Sequence, residues 1–517
     1  MVEPSRIAVP DETDVVIVGA GAAGALLASR LANGGKRVAV LDAGPAWEMG
    51  DLVSSQIWSR RLRWGGPPVA TGGEHPVGFG FNAGWGYGGA ALHHYGTWPR
   101  MHEADFKLGS LYGKGLDWPI GYADLREHYD RVQDEVGISG DAGAEVWRPH
   151  GAAYPMPPLA LTRQASAIAR GFDALGLRTA PAPMAITSVE YRGRPACIYD
   201  GWCDAGCPIG ALANPLVVHK PDAEAAGASF HADSPVVGLL VSRKGRVDGV
   251  VYRANGAARS IRADTVILAA SVVGNAALLL QSASDHHPRG IGNGADLVGR
   301  YVMTHPSLAV FGMFDDIDTQ PHMGVSGALL IAQDGYRRGV DAGFQWLVAP
   351  SIKPNDLAGI ANARADLVGA PLDAFMRRAV RHIGNMIGMA EALPLPENRV
   401  TLGGAKTEWG TRAPVMSHRH DPDALAAWQR MRDQGIAVMN AAGADEVWTG
   451  QMFSAHLIGG TIMGHDPASS VADEYGRVHG LDNLYVAGAS LFPTGGAVNP
   501  TFTLLALSDR TAAQILS

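Results

Sequence analysis

With 517 residues, 47% hydrophobic and 18% charged, the chain can bury the cores of about two or three domains and has the composition of a globular protein. Its net charge of −8 argues against a nucleic-acid partner, and its 3 cysteines are too few for a disulfide framework. No apolar run reaches the length of a membrane span, and no repeat or low-complexity tract is visible. Residues 1–13 carry Glu3, Arg6, Asp11 and Glu12 with no apolar h-region, so no signal peptide is read there. Three readings stay open: a cytoplasmic chain, a mature chain, or a chain exported folded with a partner that carries the signal.

Asp14-Val-Val-Ile-Val18 is short, apolar and β-branched, as suits a strand buried on both faces. Gly19-Ala-Gly21-Ala-Ala-Gly24 follows, with G-x-G-x-x-G spacing at the mouth of an Ala/Leu-rich helix running to Ala32. Gly19 allows the turn, Gly21 lets backbone amides near a pyrophosphate, and Gly24 lets helix and strand pack closely. Ala22 and Ala23 open the helix, whose N-terminus offers free N–H groups and partial positive charge to phosphates. Gly34 and Gly35 suit its stop. Arg37-Val-Ala-Val-Leu-Asp42 reads as the second strand, and Asp42, before Ala43, stands where a carboxylate would accept ribose hydroxyls. Together these predict a dinucleotide site, though not which dinucleotide.

Residues 45–110 are rich in Gly, Trp, His and Pro with little periodicity, and read as loops over a cofactor. Within them, Gly88-Gly89 lets backbone pass close to a ligand. His93 and His94 could touch the cofactor ring, bond to it covalently, or serve as structural histidines. A capped amphipathic helix is expected over 117–137, with Tyr129, Val132 and Val136 on one face. A proline-rich connection follows at 147–160.

All 3 cysteines fall in Cys197-Ile-Tyr-Asp-Gly-Trp-Cys203-Asp-Ala-Gly-Cys207-Pro208. Gly201 and Gly206 permit the tight turns that would aim several thiolates at one centre. Soft thiolates select zinc or iron–sulfur, zinc wants a fourth ligand that is not obvious nearby, and three sulfurs suit a three-iron cluster. Three buried structural thiols are the alternative.

Residues 229–252 alternate as a hairpin turning at Arg243 to Arg246. Thr265 to Ala270 reads as a buried strand leading to a helix at Val273–Leu280. Strands are expected at Leu308–Phe311, Phe344–Ala349 and Arg399–Leu402. Helices are expected at Leu372–Met389 and 422–441. Near the end, His456 precedes Gly459-Gly460. Asn483 to Val486 runs into Gly488-Ala489, and Asn499-Pro500-Thr501 opens a final helix from about Phe502 to Ile515.

In this order the motifs resemble the glucose–methanol–choline (GMC) family of FAD oxidoreductases over essentially the whole chain. The resemblance is carried by the strand–turn–helix ending at Asp42, by Gly88-Gly89, by Val298-Gly-Arg300 with His305-Pro306, and by Val486-Ala-Gly488, Pro493 and Asn499-Pro500. More narrowly, Asp117-Trp-Pro-Ile120, Tyr154-Pro-Met-Pro-Pro158, Pro394 to Arg399, Thr461-Ile-Met-Gly464 and the cysteine loop are similar to catalytic subunits of bacterial FAD-dependent sugar dehydrogenases.

The resemblance implies an α/β fold: a Rossmann-like FAD-binding domain interleaved with an α+β substrate domain. It divides the chain into a first FAD-binding segment (10–120), a connecting cap (121–195), the cysteine loop with a second FAD-binding segment (196–309), a substrate domain (310–454) and a third FAD-binding segment (455–517). It further implies FAD as cofactor, Val237 at the position whose backbone meets the adenine, Ala270 among the cofactor-binding residues, and a 3Fe–4S cluster on Cys197, Cys203 and Cys207. His456 and Asn499 match the family's catalytic pair. The implied activity is oxidation of a sugar or glycoside hydroxyl at C1 or C3, with electrons leaving through the cluster to a cytochrome or similar acceptor. A pyranose or glycoside oxidase, or a lyase with structural FAD, is the alternative. A small helper subunit and a periplasmic or membrane-associated location through partner subunits are implied by the same resemblance.

Overall fold

The computed structural model describes residues 8–242, 246–336 and 342–517. Residues 243–245, most of the expected hairpin turn, and the first residues of the chain lie outside the described ones. Two sheets carry the fold. In the first, Glu12–Val18 lies between Val38–Leu41 and the long strand Ala257–Leu268, all parallel, with Ser229–His231 beyond Val38–Leu41. Leu484–Val486 pairs parallel with the C-terminal end of the long strand. The hairpin Val236–Val241/Val247–Ala254 pairs antiparallel with its N-terminal half. Val15, Val16 and Ile17 are each at most 1% exposed, which is why this strand carries no polar alternation. Helices Ala22–Asn33, Ser271–Gln281 and Thr501–Leu516 cover the sheet. The fold is thus α/β, with a doubly wound parallel core.

The second sheet is antiparallel. Its order is Glu446–Thr449, Met303–Met313, Ile383–Ala390, Phe344–Val348, Leu330–Ala332 and Ala180–Pro181, with Phe453–Ile458 paired to the N-terminal half of Met303–Met313. Helix Pro422–Ala441 packs on it through Met431 and Gly435, opposite Trp346. Asp421 caps that helix by accepting from the Ala424 amide at 2.9 Å, and Pro422 occupies its first turn.

One expected element differs. The helix read over Leu372–Met389 ends at His382, and Ile383–Ala390 is a central strand. Apolar runs this short carry no clear period. Here burial between two strands decides: at Gly388 a β-carbon would stand 2.5 Å from the Met431 sulfur, so the sheet needs glycine at that face. The amphipathic helix at Tyr122–Val136 and the closing helix at Thr501–Leu516 form where the pattern placed them. Among the described residues no helix is long and apolar enough to cross a membrane.

Candidate active site

A cavity of about 540 Å³ runs along the C-terminal ends of the parallel strands and across to the second sheet. At one end is the first strand–helix turn. Gly19 has φ +105°, and a β-carbon there would stand 2.5 Å from the Ala269 carbonyl oxygen. At Gly24 it would fall 1.9 Å from the Gly19 carbonyl oxygen. Both positions exclude side chains, so the turn stays tight. Gly21 begins the helix without a side-chain cap, leaving first-turn amides for a ligand. Pro500 and Thr501 present a second helix N-terminus, also without a side-chain cap, to the same cavity. Asp42 accepts from the Ala20 amide at 2.8 Å and the Gly44 amide at 2.9 Å, and its side chain lines the cavity. Burial raises its pKa, opposed by those two amides.

The lining includes Gly19, Gly21, Ala22, Ala23, Asp42, Ala43, Gly89, His93, His94, Ala270, Gly488, Ala489, Asn499, Pro500 and Thr501, as expected of a dinucleotide site. Three expected residues fall outside it. Gly24 is the packing glycine just described. Gly88, at φ +89°, turns the chain behind Gly89. Val237 was expected to offer its backbone, and its neighbour Val236 is the residue of that strand that lines the cavity.

The two histidines of the loop differ. His94 bonds the Ala213 carbonyl through Nε2 at 2.9 Å, while its Nδ1 accepts from the Gly96 amide (3.1 Å) and Trp98 Nε1 (3.3 Å). Its ring is fully used by the fold. His93 bonds the Ala83 carbonyl at 3.2 Å. Burial lowers both pKa values to about 4, so both are neutral at pH 7.

The second sheet brings in the other end. His456 sits on Phe453–Ile458 between paired residues Ala455 and Ile458, where the register slips, and has φ +62°. That left-handed residue at a bulge re-aims the side chain. His456 Nε2 comes within 3.4 Å of Asn499 Nδ2, and both residues line the cavity. Desolvation, then neighbouring His305, holds the His456 pKa well below the ordinary value, leaving a neutral ring. Asn499 Oδ1 accepts from Gln345 Nε2 at 3.1 Å. Gln345 Oε1 in turn accepts from Gln333 Nε2 at 3.1 Å, and Gln333 Oε1 lies 2.8 Å from His102 Nε2. This buried chain turns the Asn499 amide nitrogen toward His456. Gln345 escaped sequence reading because it lies in a run read only as a strand. Its polarity among Phe344, Trp346 and Leu347 was the available signal.

The three cysteines are gathered in the winding segment 197–212, where Tyr199 and Cys207 have φ +59° and +57°. Each sulfur accepts from the backbone: the Tyr199 amide reaches Cys197 (3.4 Å), that of Ser326 Cys203 (3.4 Å) and that of Leu212 Cys207 (3.3 Å). Burial pushes the Cys197 thiol up to about 11 and raises the other two. Among the described residues, no group of three or more His, Cys, Asp or Glu side chains is placed to hold a metal ion. Beside the loop, Lys353, 4% exposed, places Nζ 3.0 Å from Asp356, 3.4 Å from Asp204 and 3.2 Å from the Gly201 carbonyl. Sequence reading missed this lysine, which lies far along the chain from the cysteines.

A dinucleotide cradle that ends at a neutral histidine–amide pair is the site of a dinucleotide-binding oxidoreductase. Comparison with known proteins agrees. Residues 14–56 match the family model of the FAD binding domain, and residues 374–508 match that of GMC oxidoreductase. The fructose dehydrogenase large subunit of Gluconobacter japonicus is 30% identical, covering 98% of each chain. The 2-methyl-1,2-propanediol dehydrogenase of Mycolicibacterium austroafricanum is 30% identical over 97% of this chain and 94% of its own. The 6'''-hydroxyparomomycin C oxidase of Streptomyces lividus is 29% identical over 98% and 91%. Among solved structures, pyridoxine 4-oxidase from Mesorbium loti superposes with a TM-score of 0.66 at 19% identity, covering 97% of this chain and 98% of its own. The chain belongs to the GMC oxidoreductase family: it is an FAD-dependent oxidoreductase acting on CH–OH groups.

Proposed function

We propose that this chain is the flavin-carrying catalytic subunit of a dehydrogenase that oxidises a sugar or glycoside hydroxyl, at C1 or C3, and passes electrons to an external acceptor. The observation that carries the reading is His456 Nε2 facing Asn499 Nδ2 at 3.4 Å on the wall of the FAD cavity. FAD bound there supplies a hydride acceptor. His456, kept neutral by burial, takes the hydroxyl proton at Nε2. Asn499 Nδ2 donates to the same oxygen and orients the carbon. The O–H bond breaks as an N–H bond forms, the C–H pair leaves as hydride, and the alcohol becomes a carbonyl. The sugar class rests on the relatives that act on fructose and on an aminoglycoside. We further propose that the first sheet, with its helices, is the cofactor side of the molecule and that the second sheet and residues 310–454 form the substrate side.

Cys197, Cys203 and Cys207 would hold the 3Fe–4S cluster, which supplies one-electron transfer to the acceptor. What supports this is the donor type: the buried Cys203 and the half-buried Cys197 and Cys207 each meet a backbone amide, as sulfur ligands of a cluster do, although among the described residues the three side chains are not placed on one metal centre. Ile198 is 63% exposed, Ile209 38% and Met323 44%, and they give the loop an apolar rim against which a cytochrome or other protein acceptor could dock. The large-subunit designation of the fructose relative also favours a multi-subunit assembly with a small helper. An oxidase is the second reading, favoured by the relative that carries that name.

Low-temperature EPR of anaerobically purified protein, with iron and sulfide quantified, separates the two. A three-iron signal, with a sugar panel then reducing an artificial dye, supports the dehydrogenase. Bound FAD without iron, with steady peroxide production in air, overturns the cluster and moves the oxidase first. His456→Ala retaining near-normal turnover with intact flavin would remove the role given to that histidine.

A further inference from the structure

We propose that His305 is a positioning residue that decides which nitrogen of His456 is the base. The inference rests on the reading of His456 as the proton acceptor. His305 is 1% exposed on Met303–Met313, across from the bulge that carries His456. Its Nε2 lies 2.9 Å from the Gly496 carbonyl oxygen, and its Nδ1 lies 2.9 Å from His456 Nδ1.

The proton positions follow from one fixed end. A carbonyl oxygen only accepts, so His305 Nε2 carries a hydrogen and donates it to Gly496. The His305 ring is neutral at pH 7, since burial lowers its pKa to about 4. Its Nδ1 is therefore a bare lone pair. The His456 Nδ1 facing it must then be the N–H donor. A neutral His456 has only one hydrogen to place, so its Nε2 is the bare lone pair. That nitrogen is the one that meets Asn499. A relay of two rings thus starts at a backbone carbonyl and delivers the base to the cavity wall. The opposite His456 tautomer would set two lone pairs against each other at 2.9 Å and turn an N–H toward the substrate hydroxyl. When the substrate proton arrives at Nε2, the positive ring still donates through Nδ1, now in a charge-assisted bond to His305.

The charged and titratable groups facing this relay are few. Asp105, next to Gly496, slightly favours protonation of His305. His420 and His456 are the neighbouring rings. Burial outweighs these neighbours for both rings of the relay, which stay neutral together.

The test uses the FAD-loaded full chain in three forms: His305→Leu, His305→Gln and His456→Ala. Glutamine offers one acceptor and one donor and can restore both contacts, whereas leucine can restore neither. His305→Leu is expected to lose about 100-fold in kcat with KM little changed, and His305→Gln to recover within about tenfold of the parent. A second readout does not depend on turnover. In protein labelled with ¹⁵N at histidine, His456 should show Nδ1 protonated and Nε2 bare, and His305→Leu should abolish that single tautomer. A parent protein with His456 protonated at Nε2, or a His305→Leu variant with parental kcat and an unchanged tautomer, overturns the proposal. If His456→Ala is inactive while His305→Leu is unaffected, only the relay fails. If His456→Ala keeps full turnover, the base assignment beneath it fails.

Discussion

Replacing Gly19 with alanine tests whether the first turn is the cofactor cradle. The residue sits at φ +105°, and a β-carbon would lie 2.5 Å from the Ala269 carbonyl oxygen and 2.9 Å from its carbon. Both obstacles are backbone at the end of a strand buried in the sheet, so neither can rotate away. The left-handed conformation costs an L-residue roughly 1–2 kcal/mol. Forcing apart packed backbone adds about 1–3 kcal/mol more. Gly35 supplies the control. It has φ +82° with nothing within 4 Å of an added methyl, so Gly35→Ala bears only the conformational cost, about 1–2 kcal/mol. Urea unfolding of the two variants, with FAD content read from absorbance, makes the comparison. Gly19→Ala should be the less stable, and it alone should lose FAD, because the amides of the following helix move with the turn. Equal stability of the two, or full FAD occupancy in Gly19→Ala, would refute the reasoning.

Two further outcomes follow from the buried titratable groups. His93, His305 and His418 have folded pKa values of about 4 against an ordinary 6.5, so below pH 6.5 the unfolded chain binds more protons than the folded one. Stability should be flat above pH 7 and fall from pH 6.5 toward pH 4, each histidine contributing roughly 1.4 kcal/mol per pH unit, as urea titrations across pH would record. A midpoint unchanged between pH 7 and pH 5 would contradict the burial. Lys353→Met strands Asp204 and Asp356 beside the cysteine loop and should cost about 3–5 kcal/mol. Adding Asp204→Asn should restore some of that loss, and strict additivity in the double variant would show that the pair is not coupled.

The contrast between the two ends of the cavity shows where sequence reading succeeds. Gly19, Gly21, Gly24 and Asp42 stand close together along the chain, and their constraints are local: a turn, a close approach, a helix start, a strand end. The same holds for helix Pro422–Ala441, whose cap and period are contiguous. The boundary at His382/Ile383 was not legible, because an eight-residue apolar run supports helix or strand and only the flanking strands choose. The histidine loop was ambiguous for a similar reason. That His94 is spent on Ala213, Gly96 and Trp98 depends on where a distant carbonyl lies.

The chain order of residues thus determined by itself the dinucleotide turn, and through its motifs it pointed to the α/β class and to His456 and Asn499. Backbone sterics and hydrophobic period act over a few residues and are written in sequence. What the tertiary structure alone decided is which of those residues meet. His456 is aimed by a bulge against Met303–Met313, its Nδ1 meets His305, which in turn meets the Gly496 carbonyl, and the Asn499 amide is turned by Gln345. Hydrogen bonds act over about 3 Å in space whatever the separation along the chain, so the direction of each donor and acceptor exists only once the two sheets have closed on one cavity.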